Sequence, residues 1–545
     1  MKKLISALSI FSFILLGSAN LFSQSITQNI TQNVDVQNYS IDVDLVKCFK
    51  PPYPNTFSGT VVIKLKATGS IEHLMLNAVN TSLHITSIGK NAASFSHMNN
   101  IADIFLDRPY NDGELFEIEI KYDHKKVNDT AFFTGNGLLF TDCEPEGARR
   151  WFPCIDKPID KATMDLTAKV PAGTIFVSNG NLLDSISSGD NVIYKWGTSY
   201  PVSTYLMNMT GKTDFILNVM DHTDNVNNRT IPVRYYYQNG VDVHVPDAVY
   251  KMNDVIEYYS KLFGPYPFEK IGFASLDRQF VWGGMENQTI ITLCPNCWQL
   301  DLLSHEFGHQ WFGDLISPTD WTDLWLNEGF ATFCESLLAE HIDGVTGYKN
   351  NLRKDATEYM FRNPHTAVYN PEWRINLPPS SVLFDDAITY DKAGLIIAQF
   401  RYLIGDDMFF KAIKAYATNP EFMFKNISTE RFISFMSEFT GTDYSWYWNE
   451  WLTQKNHPDY IVKYSTGTGG KDLNVMLSQG NVPETFFKMP VEIKVLFEDG
   501  TDVTERVTND TNDQTFNFNY GKSILKIVFD PSEKILLKKV TMVKK

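Results

Sequence analysis

The sequence predicts a multidomain α+β protein: an N-terminal antiparallel β domain, a mainly helical central domain with a small sheet, and a C-terminal β-sandwich. Three observations predict it. Apolar and polar side chains alternate with period two from about residue 35 to 215, the pattern of a sheet with one face in water. Apolar residues then recur at helical spacing between Val245 and Phe439, and the period of two returns after His457-Pro458. At 545 residues the chain is also too long for one core, and length alone suggests roughly three to four domains. The expected division is a leader at 1–24, a β domain at 25–238, a central domain at 239–456 and a sandwich at 457–545.

The leader comes first. Lys2 and Lys3 precede the uncharged apolar run Leu4 to Leu16, and small residues follow at Gly17, Ser18 and Ala19. This is the pattern of an export signal, so the expected location is the periplasm or cell envelope, or outside the cell. The run is too short to span a bilayer comfortably, and no other stretch predicts a stable membrane span.

In the β domain, Ile41, Val43 and Leu45 alternate with Asp42 and Asp44, and Phe116, Ile118 and Ile120 alternate with Glu117 and Glu119. Turn residues such as Asn111-Asp112-Gly113 separate the strands. The polar run Asp221 to Arg229 reads as a loop, and Ile231 to Tyr237 as the last strand of that domain. Helical spacing begins at Val245 and runs to Phe263, where Gly264-Pro265 stops it. Ile271–Leu276 and Gln288–Leu293 read as short strands. Helices are expected at Trp298–Phe312, Leu326–Ile342, Lys392–Ile404, Asp407–Thr418 and Thr429–Phe439. The final ninety or so residues alternate again, as in Val491 to Val495 and Phe516 to Tyr520, and suit a small sandwich.

Composition narrows the function classes. A net charge of −16 with no basic cluster leaves nothing to neutralise phosphates, which excludes nucleic acid as a partner. Six cysteines in 545 residues make no disulfide framework. The pair Cys294-Pro295-Asn296-Cys297 lacks both a thioredoxin-like context and a second pair for a zinc ribbon, leaving a local bridge or two ordinary thiols.

The chemistry concentrates in His305-Glu306-Phe307-Gly308-His309, followed eighteen residues later by Glu328. On a helix, residues four apart share a face, so His305 and His309 can hold one cation. Glu328 opens a second predicted helix and can supply the third ligand. Two nitrogens and a carboxylate leave the fourth position of tetrahedral Zn²⁺ open, the arrangement of a hydrolytic site. Glu306 follows the first ligand immediately, which places it beside the metal rather than on it. A second constellation, Gly283-Gly284-Met285-Glu286-Asn287, combines glycines that let backbone run close to a ligand with a glutamate suited to a cationic group.

With both motifs in order, the chain resembles the gluzincin aminopeptidases, the group that contains aminopeptidase N and the leukotriene hydrolase. Gly283 to Asn287 match its Gly-x-Met-Glu-Asn signature, and His305, His309 and Glu328 match its zinc motif. Ala148 to Pro158 is close to another of its stretches. The resemblance implies a thermolysin-like central domain, one Zn²⁺ per chain, and peptides with a free N-terminus as substrates. It implies that Glu286 and Glu144 bind the α-ammonium, that Glu306 is the general base, and that Tyr390 stabilises the developing oxyanion. Glu335, seven residues after Glu328, would orient a zinc-bound histidine. The chain also departs from the family. Asp142 stands where glutamine is common at the wall of the pocket for the first side chain, which suggests basic or polar first residues. Ala393 replaces a glycine after Tyr390, and Ile155-Asp156-Lys157-Pro158 alters a Phe-Asp-Glu-Pro element. The large helical C-terminal domain of many relatives does not follow the sandwich, so a more open site is expected. Two rival readings share the fold: hydrolysis of an epoxide or other small molecule by the same metal, and a catalytically silent peptide-binding protein.

Overall fold

A computed structural model describes residues 32–480 and 485–545. The expected leader at 1–24 lies outside them.

The N-terminal region is built on a seven-stranded sheet. At its centre Val34–Asp44 pairs antiparallel with Phe57–Ala67 and parallel with Thr163–Pro171. Tyr39, Ile41 and Val43 point into the core while Ser40, Asp42 and Asp44 face water, so the alternation read from the sequence is the alternation of the pleat. Trp151 and Phe152, from the Ala148–Pro158 stretch, are buried in the same core.

The polar run expected as a loop is instead mostly a hairpin. Phe215–Asp224 pairs antiparallel with Arg229–Gln238, and only residues 225–228 turn. The Asp224 carboxylate accepts bonds from the amides of Val226 and Asn227 and from Arg229, closing the turn with its own side chain. The hairpin belongs to the central sheet: Arg229–Gln238 runs parallel to Ile271–Ser275, which runs parallel to Ile291–Leu293. The expected boundary at 238 therefore falls between two strands of one sheet. At the sheet's far edge lies Gly284–Met285, antiparallel to Ile291–Leu293.

Seven helices carry the central region's packing: α1 (Val245–Phe263), α2 (Leu300–Gly308), α3 (Trp325–Arg362), α4 (Ala393–Ile404), α5 (Asp406–Ala417), α6 (Thr429–Thr440) and α7 (Ser445–Thr453). The amphipathic pattern of α1 buries Val245, Ala248, Met252, Val255, Ile256, Tyr259 and Phe263, and Gly264 at φ 111° ends it. Helix α3 outruns its expected end at Ile342 because Gly344, at φ 63°, breaks the helix and lets a second segment follow.

The C-terminal region pairs a four-stranded sheet with a three-stranded one, as expected of a small sandwich. Its core is continuous with that of the helices. The Lys488 amide donates to Glu450 of α7 and the Arg506 guanidinium to the Tyr402 carbonyl at the end of α4, tying the sandwich to the helical body. Cys294 and Cys297 form a disulfide, and the other four thiols are buried. Among the described residues no helix is long and apolar enough to cross a membrane.

Candidate active site

Helix α2 places His305 and His309 one turn apart, with ring centroids 4.9 Å from each other. Each ring is aimed by its outer nitrogen. His305 Nδ1 lies 2.9 Å from Glu335 Oε1, and His309 Nδ1 lies 3.1 Å from the Phe312 carbonyl. Those acceptors fix Nδ1 as the donor and leave both Nε2 atoms turned inward, the geometry of metal-ligating histidines. Each Nε2 is 3.3 Å from Glu328 Oε2. One ligand atom from each of the three residues lies within 4.8 Å of the others. Without a cation the cluster attracts protons. Burial opposes a charge on His309, but Glu286 and Glu328 outweigh it and push the imidazole up to about 9. Burial would likewise raise Glu328, yet the two imidazoles hold its carboxyl below the ordinary range. A divalent cation satisfies the same demand for positive charge, and the donor set fits one.

Glu306 is buried beside these ligands, and burial pushes its carboxyl up to about 8 against the opposing pull of the two histidines. The edge strand passes directly over it. A Cβ on Gly284 would lie 2.4 Å from Glu306 Oε1, so only glycine lets the strand approach. Next along that strand, Met285 and Glu286 line the same cleft of about 370 Å³.

Across the cleft, Glu144 is delivered from the N-terminal region. Its loop is braced by three ion pairs: Arg149 with Glu146 at 2.7 Å, Arg149 with Asp156 at 2.8 Å, and Lys157 with Glu146 at 2.6 Å. Lys157, one of the departures from the family pattern, thus serves the loop's stability. Glu144 Oε1 and Glu286 Oε1 are buried and have no partner among the described residues. Burial raises both carboxyls, and for Glu144 the Glu286 charge raises it further. Ligand atoms of Glu144, Glu286 and Glu328 lie within 4.8 Å of one another.

Tyr390 sits on a π-helical turn, Asp386–Lys392, whose wider winding is frequent at functional sites. Its ring stacks on His305 with centroids 6.0 Å apart, and its hydroxyl donates to Glu328 Oε1 at 3.2 Å. Ala393 explains how the methyl is accommodated: it faces Gly329, where a Cβ would come within 2.8 Å of the Ala393 Cβ. A small residue on each side lets α4 close on α3, and Tyr390 reaches Glu328.

Asp142 is half-buried on the cleft wall beside Trp282. Burial pushes its carboxyl up to about 7, with Trp282 opposing and Glu286 reinforcing the shift. Gly283 lines the cleft and accepts a backbone bond from Cys294, which places the disulfide loop behind the edge strand. Asn287 does not face the cleft. Its side chain bonds Thr292, Asn208 and the Leu206 carbonyl, fastening the strand to the N-terminal region. One residue escapes a reading of the sequence. Gln310 Nε2 donates to the Glu286 carbonyl and to Asp314, and its Oε1 accepts from the Thr289 amide and Tyr266. It joins the residue after His309 to the Glu286 segment, and a lone glutamine carries no spacing signal that would reveal it.

Sequence comparison agrees with this geometry. A profile described as the peptidase family M1 domain matches residues 248–451, and one described as the peptidase M1 N-terminal domain matches residues 36–206. The chain belongs to peptidase family M1. It is 25% identical over 490 residues to aminopeptidase M1 of Arabidopsis thaliana, covering 83% of this chain and 54% of that protein. It is 27% identical over 464 residues to aminopeptidase N of Lactococcus lactis subsp. lactis, covering 77% and 51%. The chain thus spans about half the length of these M1 relatives. Among solved structures, an M1 zinc metallopeptidase from Deinococcus radiodurans superposes with a TM-score of 0.69 at 22% identity, covering 79% of this chain and 96% of that one. Aminopeptidase A of Legionella pneumophila, in complex with aspartic acid, gives 0.79 at 18% identity, covering 95% and 60%. At these identities the structural likeness is one of fold.

Proposed function

We propose that this M1 chain is an exported zinc aminopeptidase that removes the first residue from peptides with a free N-terminus. The observation that carries the reading is the pair of buried carboxylate oxygens without a partner among the described residues, Glu144 Oε1 and Glu286 Oε1, beside a three-residue metal ligand set. A buried carboxylate oxygen without a donor is costly unless a ligand supplies one. An α-ammonium supplies three, with charge assistance.

His305, His309 and Glu328 would hold the zinc, whose bound form acts as a Lewis acid toward a carbonyl and acidifies water. Glu144 and Glu286 grip the ammonium, so the first peptide bond is the one presented. Glu306, under Gly284, accepts the proton of the attacking water and passes it to the leaving amine. The Tyr390 hydroxyl, leaving Glu328, donates to the oxygen on which negative charge develops. Asp142 on the wall favours basic or polar first side chains. The Lys2–Ala19 pattern supports export, and N-terminal sequencing of the protein recovered outside the cytoplasm checks it.

The test is a panel of aminoacyl fluorogenic substrates with free and N-acetylated amines, run with and without a zinc chelator. Turnover of the free amines alone, lost on chelation and restored by Zn²⁺, is expected. Equal turnover of the acetylated forms would count against the ammonium grip and favour a small-molecule hydrolase.

A further inference from the structure

The metal cleft is walled by carboxylates, and among the described residues no lysine or arginine lines it. A second cavity, of about 130 Å³, shares no lining residue with that cleft and has a different character. It lies where three parts of the chain meet: α3 on either side of the break at Gly344, α4, and the loop from Ser532 to Leu536 that leads into the last strand of the sandwich. The Leu537 amide donates to Gln399 of α4 at 3.4 Å, and Arg353 of α3 donates to Glu533 at 2.7 Å. The loop is thereby held against both helices.

Six charged side chains line this cavity, and their pairing is uneven. Arg401, 7% exposed, sits between two carboxylates and bonds both oxygens of Glu340 and both of Asp406, at 2.6 to 3.1 Å. Glu533 is answered by Arg353. Guanidinium groups therefore neutralise all three carboxylates. Lys349 and Lys534 have no such match: among the described residues neither ammonium has an ion pair. Lys534 Nζ lies over the Tyr402 ring, 5.8 Å from its centre, and the Arg506 guanidinium meets the same ring at 4.7 Å. On a protein of net charge −16, this corner is locally positive. Leu352, Leu395 and Leu536 make the rest of the wall apolar.

These walls define a ligand. Two unanswered ammoniums call for an anion, and a carboxylate takes charge-assisted bonds from lysine. The leucines call for a short hydrocarbon body. Volume sets the limit: a cavity of about 150 Å³ takes up benzene, so this one holds about six to eight heavy atoms. We propose that the cavity is a binding site for a small aliphatic carboxylate, with its oxygens on Lys349 and Lys534 and its hydrocarbon against the leucines. A free branched-chain amino acid and the corresponding simple acid share this chemistry. The bound carboxylate bridges α3, α4 and the loop, and so fastens the sandwich to the helical body. The site does not rest on the aminopeptidase reading.

The experiment titrates 3-methylbutanoate into the zinc-loaded protein and follows binding by saturation-transfer NMR. L-valine and 2-methylpropylamine, which share its carbon branch, are titrated alongside. Saturable binding of the acid is expected, with Kd in about the millimolar range for so small a ligand. Lys349→Met and Lys534→Met keep the length of the side chain and remove its charge, and each should weaken the acid about tenfold or more. Unchanged near-UV circular dichroism in both variants verifies the fold. The amine should bind wild type and variants alike. Valine separates the sources. If it weakens in the same variants, free amino acids use the site; if it does not, simple acids do, and either result upholds a carboxylate site. Failure of 3-methylbutanoate to saturate would overturn the proposal. So would unchanged affinity for it in either variant, the result expected of a carboxylate resting on zinc. Binding is read without substrate, so the outcome is independent of whether the protein cleaves peptides.

Discussion

The two ends of the cleft are built on opposite terms. At the metal end each outer histidine nitrogen has its acceptor, Glu335 for His305 and the Phe312 carbonyl for His309, and Glu328 lies between the inner ones. At the recognition end Glu144 and Glu286 each leave a buried oxygen without a partner. The metal end comes from two helices of one region, α2 and α3. The recognition end joins a loop of the N-terminal region to the edge strand of the central sheet. Buried polar groups are normally paired, so the contrast separates a site complete in itself from one completed only by its ligand.

That contrast can be broken by substitution. The largest effect is expected from Glu306→Gln, which removes the proton acceptor between the two ends: turnover should fall about 10²–10⁴-fold, with zinc content still near one per chain by mass spectrometry. Near-normal turnover would show that another group takes the proton. At the recognition end, Glu286→Gln should lower kcat/KM for free-amine substrates by about 10–100-fold, the worth of a charge-assisted bond, with zinc affinity unchanged. At the metal end, Glu335→Gln should do the opposite, weakening zinc about 10–100-fold in competition with a chelator while leaving the preference for a free amine intact. If both variants lost zinc equally, the two ends would be one cooperative unit.

The smallest expected effect is one of pH. The Asp142 carboxyl is pushed up to about 7 by burial, so its charged fraction grows as pH rises through neutrality. A cationic first side chain gains from that charge and an apolar one does not. The ratio of kcat/KM for arginyl over leucyl substrates should therefore increase severalfold from pH 6 to pH 8, and Asp142→Asn should flatten it. A leucyl preference at every pH would remove Asp142 from specificity.

Much of the metal end is legible in the sequence. His305 and His309 are linked by helical periodicity, and the distance to Glu328 is a short run within one pattern. The strands of the N-terminal region and the sandwich are legible for the same reason, because period two reports burial directly. Other features resist such reading. Asp221 to Arg229 reads as a loop because its polar residues sit at the end of a hairpin whose turn is closed by Asp224 itself. Tyr390 has no local signal, since a π-turn has no apolar period of its own, and only the family resemblance singles it out. Gln310 is invisible because its bonds to the Glu286 carbonyl, the Thr289 amide and Tyr266 go to residues distant in sequence.

The chain's own spacing determines which side chains can meet a cation, because a helix converts four residues of sequence into one turn of space. It also determines the order of β, α and β regions. Tertiary structure alone decides what surrounds that cation. The 2.4 Å clearance that forbids a side chain on Gly284, the contact of Gly329 with Ala393 that brings Tyr390 to Glu328, and the meeting of Glu144 with Glu286 all join separate elements. Such contacts have no period in sequence. They exist because separate elements share a buried volume, where close packing and the cost of unpaired charge select the residues that remain.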